Sequence, residues 1–136
     1  MYTFMNPHPK GCLVGDCVKR ALTIATGEDY REVSRQLNRI KRELNADKFN
    51  SDEVWWEFVN RRGYKAETYQ AVKGQKRMNG ERFCNSHPTG KYILVMARHL
   101  SCCIDGIIYD TWDCSSKCVY RSIRVKAMRV VPTQAE

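Results

Sequence analysis

The sequence predicts an α+β fold in which N-terminal helices pack on a C-terminal antiparallel sheet. Apolar residues recur at intervals of three and four through the first half of the chain, and the period then shifts towards two. An Asp105-Gly106 pair between two apolar runs is typical of a two-residue hairpin turn. A chain of 136 residues has the usual length of one domain, so we expect a single domain over 1–136.

Three helices are predicted in the first half. Helix one covers about 17–26, with Asp16 as its N-cap and a glycine just past its end. Helix two begins at the capping box that Asp29 opens, and it carries a strong apolar stripe. Helix three opens at Ser51 and stops at Gly63.

Strands dominate the second half. A short strand over 64–68 leads into a basic surface loop at 73–80, a helical turn around 81–86 and a buried strand over 91–97. The hairpin arms are 100–104 and 107–109. Two further strands are expected near 119–123 and 125–131, which would complete the antiparallel sheet.

Several classes of protein are excluded. The longest apolar run, 92–97, is far shorter than the roughly 20 residues that a membrane-spanning helix needs. The first residues contain no secretory signal, so we expect a cytoplasmic location, in the host cytoplasm for a viral protein, and no membrane partner. Seven cysteines cannot all pair within the chain, and we expect free thiols.

The charge is basic. Lys and Arg number 23 against 15 Asp and Glu, a formal net charge of +8, which favours acidic partners. Basic clusters at 39–42, 73–82 and 121–129 lack the interleaved aromatic residues of a base-stacking surface. We therefore expect a solvated basic face, weak nucleic-acid binding at most, and a protein or peptide substrate that is acidic if the charge steers it.

Cys17 stands at the first turn of helix one, directly after Asp16. Free backbone N–H groups and the positive end of the helix dipole favour a thiolate at this position. Cysteine is also among the most often buried residue types, so simple packing is the alternative for Cys17.

His99 precedes the hairpin and supplies a candidate base. If the turn is Asp105-Gly106, opposed residues place His99 opposite Trp112, and Asp110 falls on the diagonal from His99 on the same sheet face. Asp113 points to the other face unless a bulge intervenes. Cys17, His99 and Asp110 would then form a nucleophile, a base and an orienting carboxylate.

Two segments resemble papain-like cysteine peptidases. Residues 15–22 (GDCVKRAL) look like the nucleophile-bearing helix start of the bacteriocin-processing branch, and 98–113 (RHLSCCIDGIIYDTWD) resembles small phage and prophage proteins of this superfamily. The segment DTW at 110–112 is similar to the Asn-Ser-Trp of papain. The resemblance implies a thiol hydrolase with Cys17 as nucleophile, His99 as base and acid, Asp110 as orienting residue and Trp112 as its shield.

The chain departs from the superfamily pattern at the residue that usually donates a hydrogen bond to the oxyanion. The superfamily commonly has a glutamine about six residues before the nucleophile, whereas this chain has Gly11 there. The backbone N–H of Cys17 remains, and Asn6 could supply a side-chain donor from the N-terminal segment. Loss of one oxyanion donor typically costs about 10²–10³ in turnover, so a weakly active or inactive protein is the alternative.

The cysteines suggest a zinc site as the other candidate. Cys114 and Cys118 are separated by three residues, with Cys84, His87 and the Cys102–Cys103 pair elsewhere in the chain. Because the adjacent Cys102 and Cys103 point to opposite sheet faces, there is no second close pair at ligand spacing, and we expect neither a metal site nor a cofactor.

Two functions are therefore expected. The first is a cysteine peptidase, isopeptidase or amidase that forms a thioester on Cys17. The second is a phage-type papain-like scaffold that binds and blocks a host protein or nucleic acid without chemistry.

Overall fold

A computed structural model of the protein describes residues 1–126. The elements in chain order are β1 (Tyr2–Phe4), α1 (Cys17–Thr26), α2 (Tyr30–Leu44), α3 (Asp52–Arg61), β2 (Lys65–Thr68), α4 (Gly80–Ser86), β3 (Lys91–Met96), β4 (His99–Ile104), β5 (Ile107–Asp110) and β6 (Val119–Val125). The α+β prediction is confirmed. Among residues 1–126, every helix is too short or too polar to cross a bilayer.

The sheet is mixed, and the expectation of a purely antiparallel sheet is wrong in one strand. Its six strands run in the order β1-β5-β4-β3-β6-β2. All pairs are antiparallel except β1 with β5, where Phe4 lies beside Asp110. The strand β1 has only three residues and one partner, which is too little for an alternation pattern to show.

The hairpin turn is as predicted. Ile104 pairs with Ile107, and Asp105 and Gly106 both have positive φ, at 50° and 78°, as a type I′ turn requires. At the other end of the sheet, β6 runs without a break from Val119 to Val125. The separate strand expected over 125–131 lies mostly outside the described residues.

The sheet separates two hydrophobic cores. The larger core joins α1, α2 and α3 to one face through residues such as Leu22, Leu37, Phe58, Ile93 and Ile123. The smaller core lies around α4 on other residues of the same strands, including Phe83, Leu94, Cys103 and Ile108. Burial of large apolar side chains contributes roughly 1.5–3 kcal/mol each, and this packing holds α1 against β4.

Candidate active site

Cys17 is the first residue of α1 and is partly buried. The N–H groups of a first helical turn have no acceptor within the helix, so the peptide dipoles present positive charge to the thiol. The apolar stripe of α1, which includes Leu22 and Ala25, sets the helix against the sheet. The helix start and the head of β4 are thereby brought together.

His99 is the first residue of β4, directly after the tight turn that joins it to β3. Arg98 in that turn has a φ of 53°, an uncommon conformation for a residue with a side chain. Asp110 ends β5, and its Oδ2 lies 2.7 Å from Nε2 of His99. Since Nε2 faces the carboxylate, Nδ1 is the imidazole nitrogen left for Cys17.

Cys17, His99 and Asp110 shift one another's pKa values. Burial alone would raise the pKa of Cys17, but hydrogen bonds with His99 and the backbone of Leu100, and the charges of His99 and Arg20, lower it overall. Burial opposes protonation of His99, yet hydrogen bonds with Asp110, Cys114 and Cys17 raise its pKa to about 11. These directions favour a Cys17 thiolate paired with a His99 imidazolium at neutral pH.

Asp110 is the most highly connected side chain of the site. Its Oδ2 accepts hydrogen bonds from His99, from Ser101 Oγ at 2.6 Å and from Cys114 Sγ at 3.5 Å. Burial acts to raise the pKa of Asp110, and the hydrogen bonds from His99 and Ser101 and the charge of His99 outweigh it and lower the pKa. The carboxylate is thus kept ionised while only 3% exposed.

Trp112 lies over the histidine. Its ring centroid is 4.9 Å from that of His99, with the planes tilted by 51°, and the indole is 44% exposed. The side chains of His99 and Asp110, which form the neighbouring hydrogen bond, are 7% and 4% exposed. A water-poor surrounding strengthens such a bond.

Asp16 has a different role from the predicted one. Its side chain makes no capping hydrogen bond. It is buried, forms an ion pair with Arg20, and accepts a hydrogen bond from Tyr30 Oη at 2.7 Å. Arg20 lies one helical turn after Cys17. Because its guanidinium binds the Asp16 carboxylate, that carboxylate does not cap the backbone N–H groups of the first turn.

Arg20 was missed by sequence reasoning. Its guanidinium donates to Val14 O at 3.1 Å, pairs with Asp16, and lies 3.5 Å from Asp110 Oδ1. It therefore links the residue before the nucleophile to the carboxylate that holds the base. No local pattern pointed to Arg20, because it lies outside the stripe of Val18, Ala21, Leu22 and Ala25 and directly follows another basic residue, Lys19.

The side chains of two supporting candidates form hydrogen bonds outside the triad. Asn6 donates from Nδ2 to Cys12 O at 3.0 Å, and its Oδ1 accepts the His8 N–H at 3.1 Å, so its amide is engaged within its own loop. Asp113 is exposed and accepts from the Ser115 N–H at 3.0 Å. The carboxylate beside His99 is that of Asp110.

A cleft of about 830 Å³ opens beside Cys17 and His99. It lies between the start of α3, the β3–β4 turn and the beginning of β6. Its walls are aromatic and charged and include Trp55, Trp56, Arg98, Tyr120 and Arg121. A concave site of this size can hold part of a bound peptide or a small molecule next to Cys17.

Four of the remaining cysteines are buried, one in the larger core and three in the smaller core. Cys102 packs on the helix side, whereas Cys84 and Cys103 meet in the smaller core with their sulfur atoms 3.2 Å apart. Cys114 is fully buried and lies beside Asp110 and Ser101, not beside Cys118 as the zinc spacing would require. The partners of Cys114 could not be predicted from local spacing.

The fold and the site define an α+β protein with a Cys-His-Asp group between the start of α1 and the strands β4 and β5. Comparisons with family models, with curated protein sequences and with solved structures give no match.

The geometry predicts unequal roles for the two nearby aspartates. Asp110→Asn removes the negative charge that stabilises the His99 imidazolium and should lower the thiolate fraction of Cys17, whereas Asp113→Asn should leave it unchanged. The measurement is the ultraviolet absorbance of thiolate near neutral pH, taken relative to Cys17→Ser. An equal loss in both variants, or a loss only in Asp113→Asn, would contradict the assignment.

The thiolate–imidazolium pair of Cys17 and His99 also predicts a pH dependence of the free energy of unfolding. The pKa of Cys17 is lowered, so the stability it contributes is complete above the unfolded value of about 8.5 and is lost as pH falls through the folded pKa. His99, with a raised pKa, contributes most below about 6.5 and loses that contribution as pH rises towards its folded pKa of about 11.

Subtracting the unfolding free energy of Cys17→Ser from that of the wild type isolates the thiol. This difference should grow, by up to about 1 kcal/mol per pH unit, as pH rises from about 7 to 8.5. Urea denaturation of both proteins across that range measures it. A difference that is constant with pH would show that Cys17 is not ionised in the folded protein.

Proposed function

We propose that the protein is a cysteine-dependent hydrolase with a papain-like catalytic arrangement, acting on peptide, isopeptide or other amide bonds. The observation that carries the proposal is the Cys17–His99–Asp110 group at the edge of a cleft. A lowered thiol pKa next to a protonated imidazole is the activated form that thiol enzymes use.

The chemistry follows from the order of these groups. The Cys17 thiolate attacks the carbonyl carbon, and His99 gives its Nδ1 proton to the departing amine, which leaves a thioester on Cys17. Water then attacks the thioester carbon while His99 takes a proton from it. The acid product leaves, and the thiolate–imidazolium pair is restored. Asp110 stabilises the imidazolium throughout and keeps the ring oriented.

The developing oxyanion needs hydrogen-bond donors. The Cys17 N–H lies in the first turn of α1, where no intrahelical acceptor exists, so it supplies one donor at the reacting carbon. The Asn6 amide is engaged with Cys12 O, 3.0 Å away, and would have to leave that contact to supply a second. We therefore expect a low turnover.

The substrate is proposed to be a protein or peptide. The cleft offers Trp55, Trp56 and Tyr120 for side-chain contact, and Arg98 and Arg121 as exposed cations. A formal net charge of +8 would raise the association rate with an acidic substrate.

Alkylation with iodoacetamide tests the proposal without a known substrate. At about pH 6 an ordinary thiol is less than about 1% ionised, so Cys17 should react much faster than the exposed Cys12 of the same molecule. Peptide mapping of the labelled chain compares the two sites directly. Equal rates at Cys17 and Cys12 would contradict the proposed function.

A second candidate is a phage-type papain-like scaffold that binds a host protein or nucleic acid without catalysis. The observation in its favour is the engagement of the Asn6 amide, which leaves the site with one oxyanion donor fewer than the superfamily uses. Fold and catalytic residues can persist on a protein whose role is binding.

The nucleic-acid branch of this candidate has its own prediction. Binding to DNA or RNA should be weak, independent of sequence and steeply reduced by salt, because phosphate neutralisation alone would drive it. Electrophoretic mobility shifts at low and physiological salt measure this. Tight, sequence-selective retention at physiological salt would rank the binding role above the hydrolase, and Lys73, Lys76, Arg77 and Arg82 would be the first residues to replace.

A further inference from the structure

We propose that the buried end of the site binds a thiophilic divalent metal ion such as Zn²⁺ through His99, Asp110 and Cys114. One ligand atom from each of these residues lies within 4.8 Å of the others. This site goes beyond the proposed hydrolase, because it uses Cys114 and does not involve the nucleophile Cys17.

The donor atoms of the proposed ligands lie close together around Asp110 Oδ2. Asp110 Oδ2 is 2.7 Å from His99 Nε2 and 3.5 Å from Cys114 Sγ. Ser101 Oγ is 2.6 Å from the same carboxylate oxygen and 3.4 Å from the Cys114 sulfur. An ion that replaced the shared protons would have three protein ligands, with the Ser101 hydroxyl or a water molecule in the fourth position, as in a tetrahedral zinc site.

The other oxygen of Asp110 is held elsewhere. Oδ1 accepts the Thr111 N–H at 2.7 Å and lies 3.5 Å from Arg20. These contacts fix the carboxylate so that Oδ2 alone points into the cluster. Outer contacts that orient a ligand in this way are usual in metal sites, and their loss typically weakens affinity about 10–100-fold.

The charges would balance. The Asp110 carboxylate and a Cys114 thiolate supply two negative charges to a divalent ion, while Arg20 is paired with Asp16. A buried ion of this kind is stable only when its charge is compensated locally. The mixture of sulfur, imidazole and carboxylate donors favours Zn²⁺ or Co²⁺ over Mg²⁺.

Binding must release protons. His99 loses the proton on Nε2 and Cys114 loses its thiol proton, while Cys17 no longer faces an imidazolium and can take one proton up, so binding gives a net release of protons smaller than two per ion. The ion takes the place of the proton that His99 shares with Asp110. Metal affinity should therefore rise with pH.

Titration of the protein with Co²⁺ tests the site. The wild type should show a thiolate-to-cobalt charge-transfer band and the visible spectrum of a tetrahedral ion, with net proton release in weakly buffered solution. Mg²⁺ should neither bind nor compete. Absence of the band, or of proton release, would overturn the proposal.

Three variants locate the ion. Cys114→Ser should lose the band and bind at least ~100-fold more weakly, as expected for loss of a direct ligand when outer partners alone cost about 10–100-fold. Cys118→Ser, four residues along the chain, is the matched control and should keep both. Cys17→Ser should also keep both, which makes the test independent of the proposed hydrolase. A band that survives in Cys114→Ser, or disappears in Cys17→Ser, would overturn the proposal.

A measurement on the unaltered protein covers the case in which Cys114→Ser fails to fold. The X-ray absorption spectrum of the Zn²⁺-loaded wild type should show one sulfur neighbour together with nitrogen and oxygen neighbours. No sulfur neighbour, or more than one, would contradict the ligand set of His99, Asp110 and Cys114.

Discussion

Replacement of His99 by glutamine should slow acylation of Cys17 by a p-nitrophenyl ester at least ~10²-fold, the lower bound of what a positioned acid–base group contributes. The imidazole stabilises the thiolate, and its own pKa is raised by Asp110, so its removal returns Cys17 to an ordinary thiol. Release of p-nitrophenol under single-turnover conditions at about pH 6 measures the rate.

His87→Gln is the matched control. His87 stacks on Phe83 with ring centroids 3.8 Å apart and belongs to the surroundings of the smaller core. The same chemical change there should leave the acylation rate of Cys17 unaltered. Equal slowing in both variants would mean that the effect is structural, and no slowing in His99→Gln would exclude His99 as the base.

Arg20→Met should lower the free energy of unfolding by about 3–5 kcal/mol, the usual effect of removing one partner of a buried ion pair. The Arg20 side chain is 8% exposed and faces Asp16 and Asp110, which are 5% and 4% exposed. Methionine fills much of the same volume but leaves the buried Asp16 carboxylate without its cation and takes one of two cations from Asp110. Urea denaturation near neutral pH measures the loss.

Arg35→Met is the control for the loss of an arginine charge. Arg35 pairs with Glu32 on the exposed side of α2, with both side chains largely in solvent, and its removal should leave stability nearly unchanged. A similar small effect in Arg20→Met would show that the Asp16–Arg20–Asp110 link does not hold the site together.

The elements that local chemistry specifies were predictable from the sequence. The apolar stripe and the glycine after it predicted α1 with its observed bounds, and Gly27 has the left-handed φ of 74° expected there. The Asp105-Gly106 pair predicted the hairpin register that sets His99 near Asp110. In both cases the signal lies within a few residues of the element it specifies.

The features that remained hidden depend on residues far apart in the chain. The strand β1 pairs in parallel with β5, and no local pattern reveals a remote partner. Asp16 matched the N-cap rule, yet Arg20 and Tyr30 engage its carboxylate. The spacing of Cys114 in the sequence points to Cys118, whereas its neighbours in space are Asp110 and Ser101.

The hairpin has a consequence for the order in which the protein acquires reactivity. His99 and Asp110 are only 11 residues apart and close around a local turn, a step with a small entropic cost that can occur early in folding. Cys17 joins them only when α1 docks from the far end of the chain. A newly made chain, or one in which α1 has opened transiently, therefore carries Cys17 as an ordinary thiol. The lowered pKa of Cys17 therefore depends on the docking of α1 against β4.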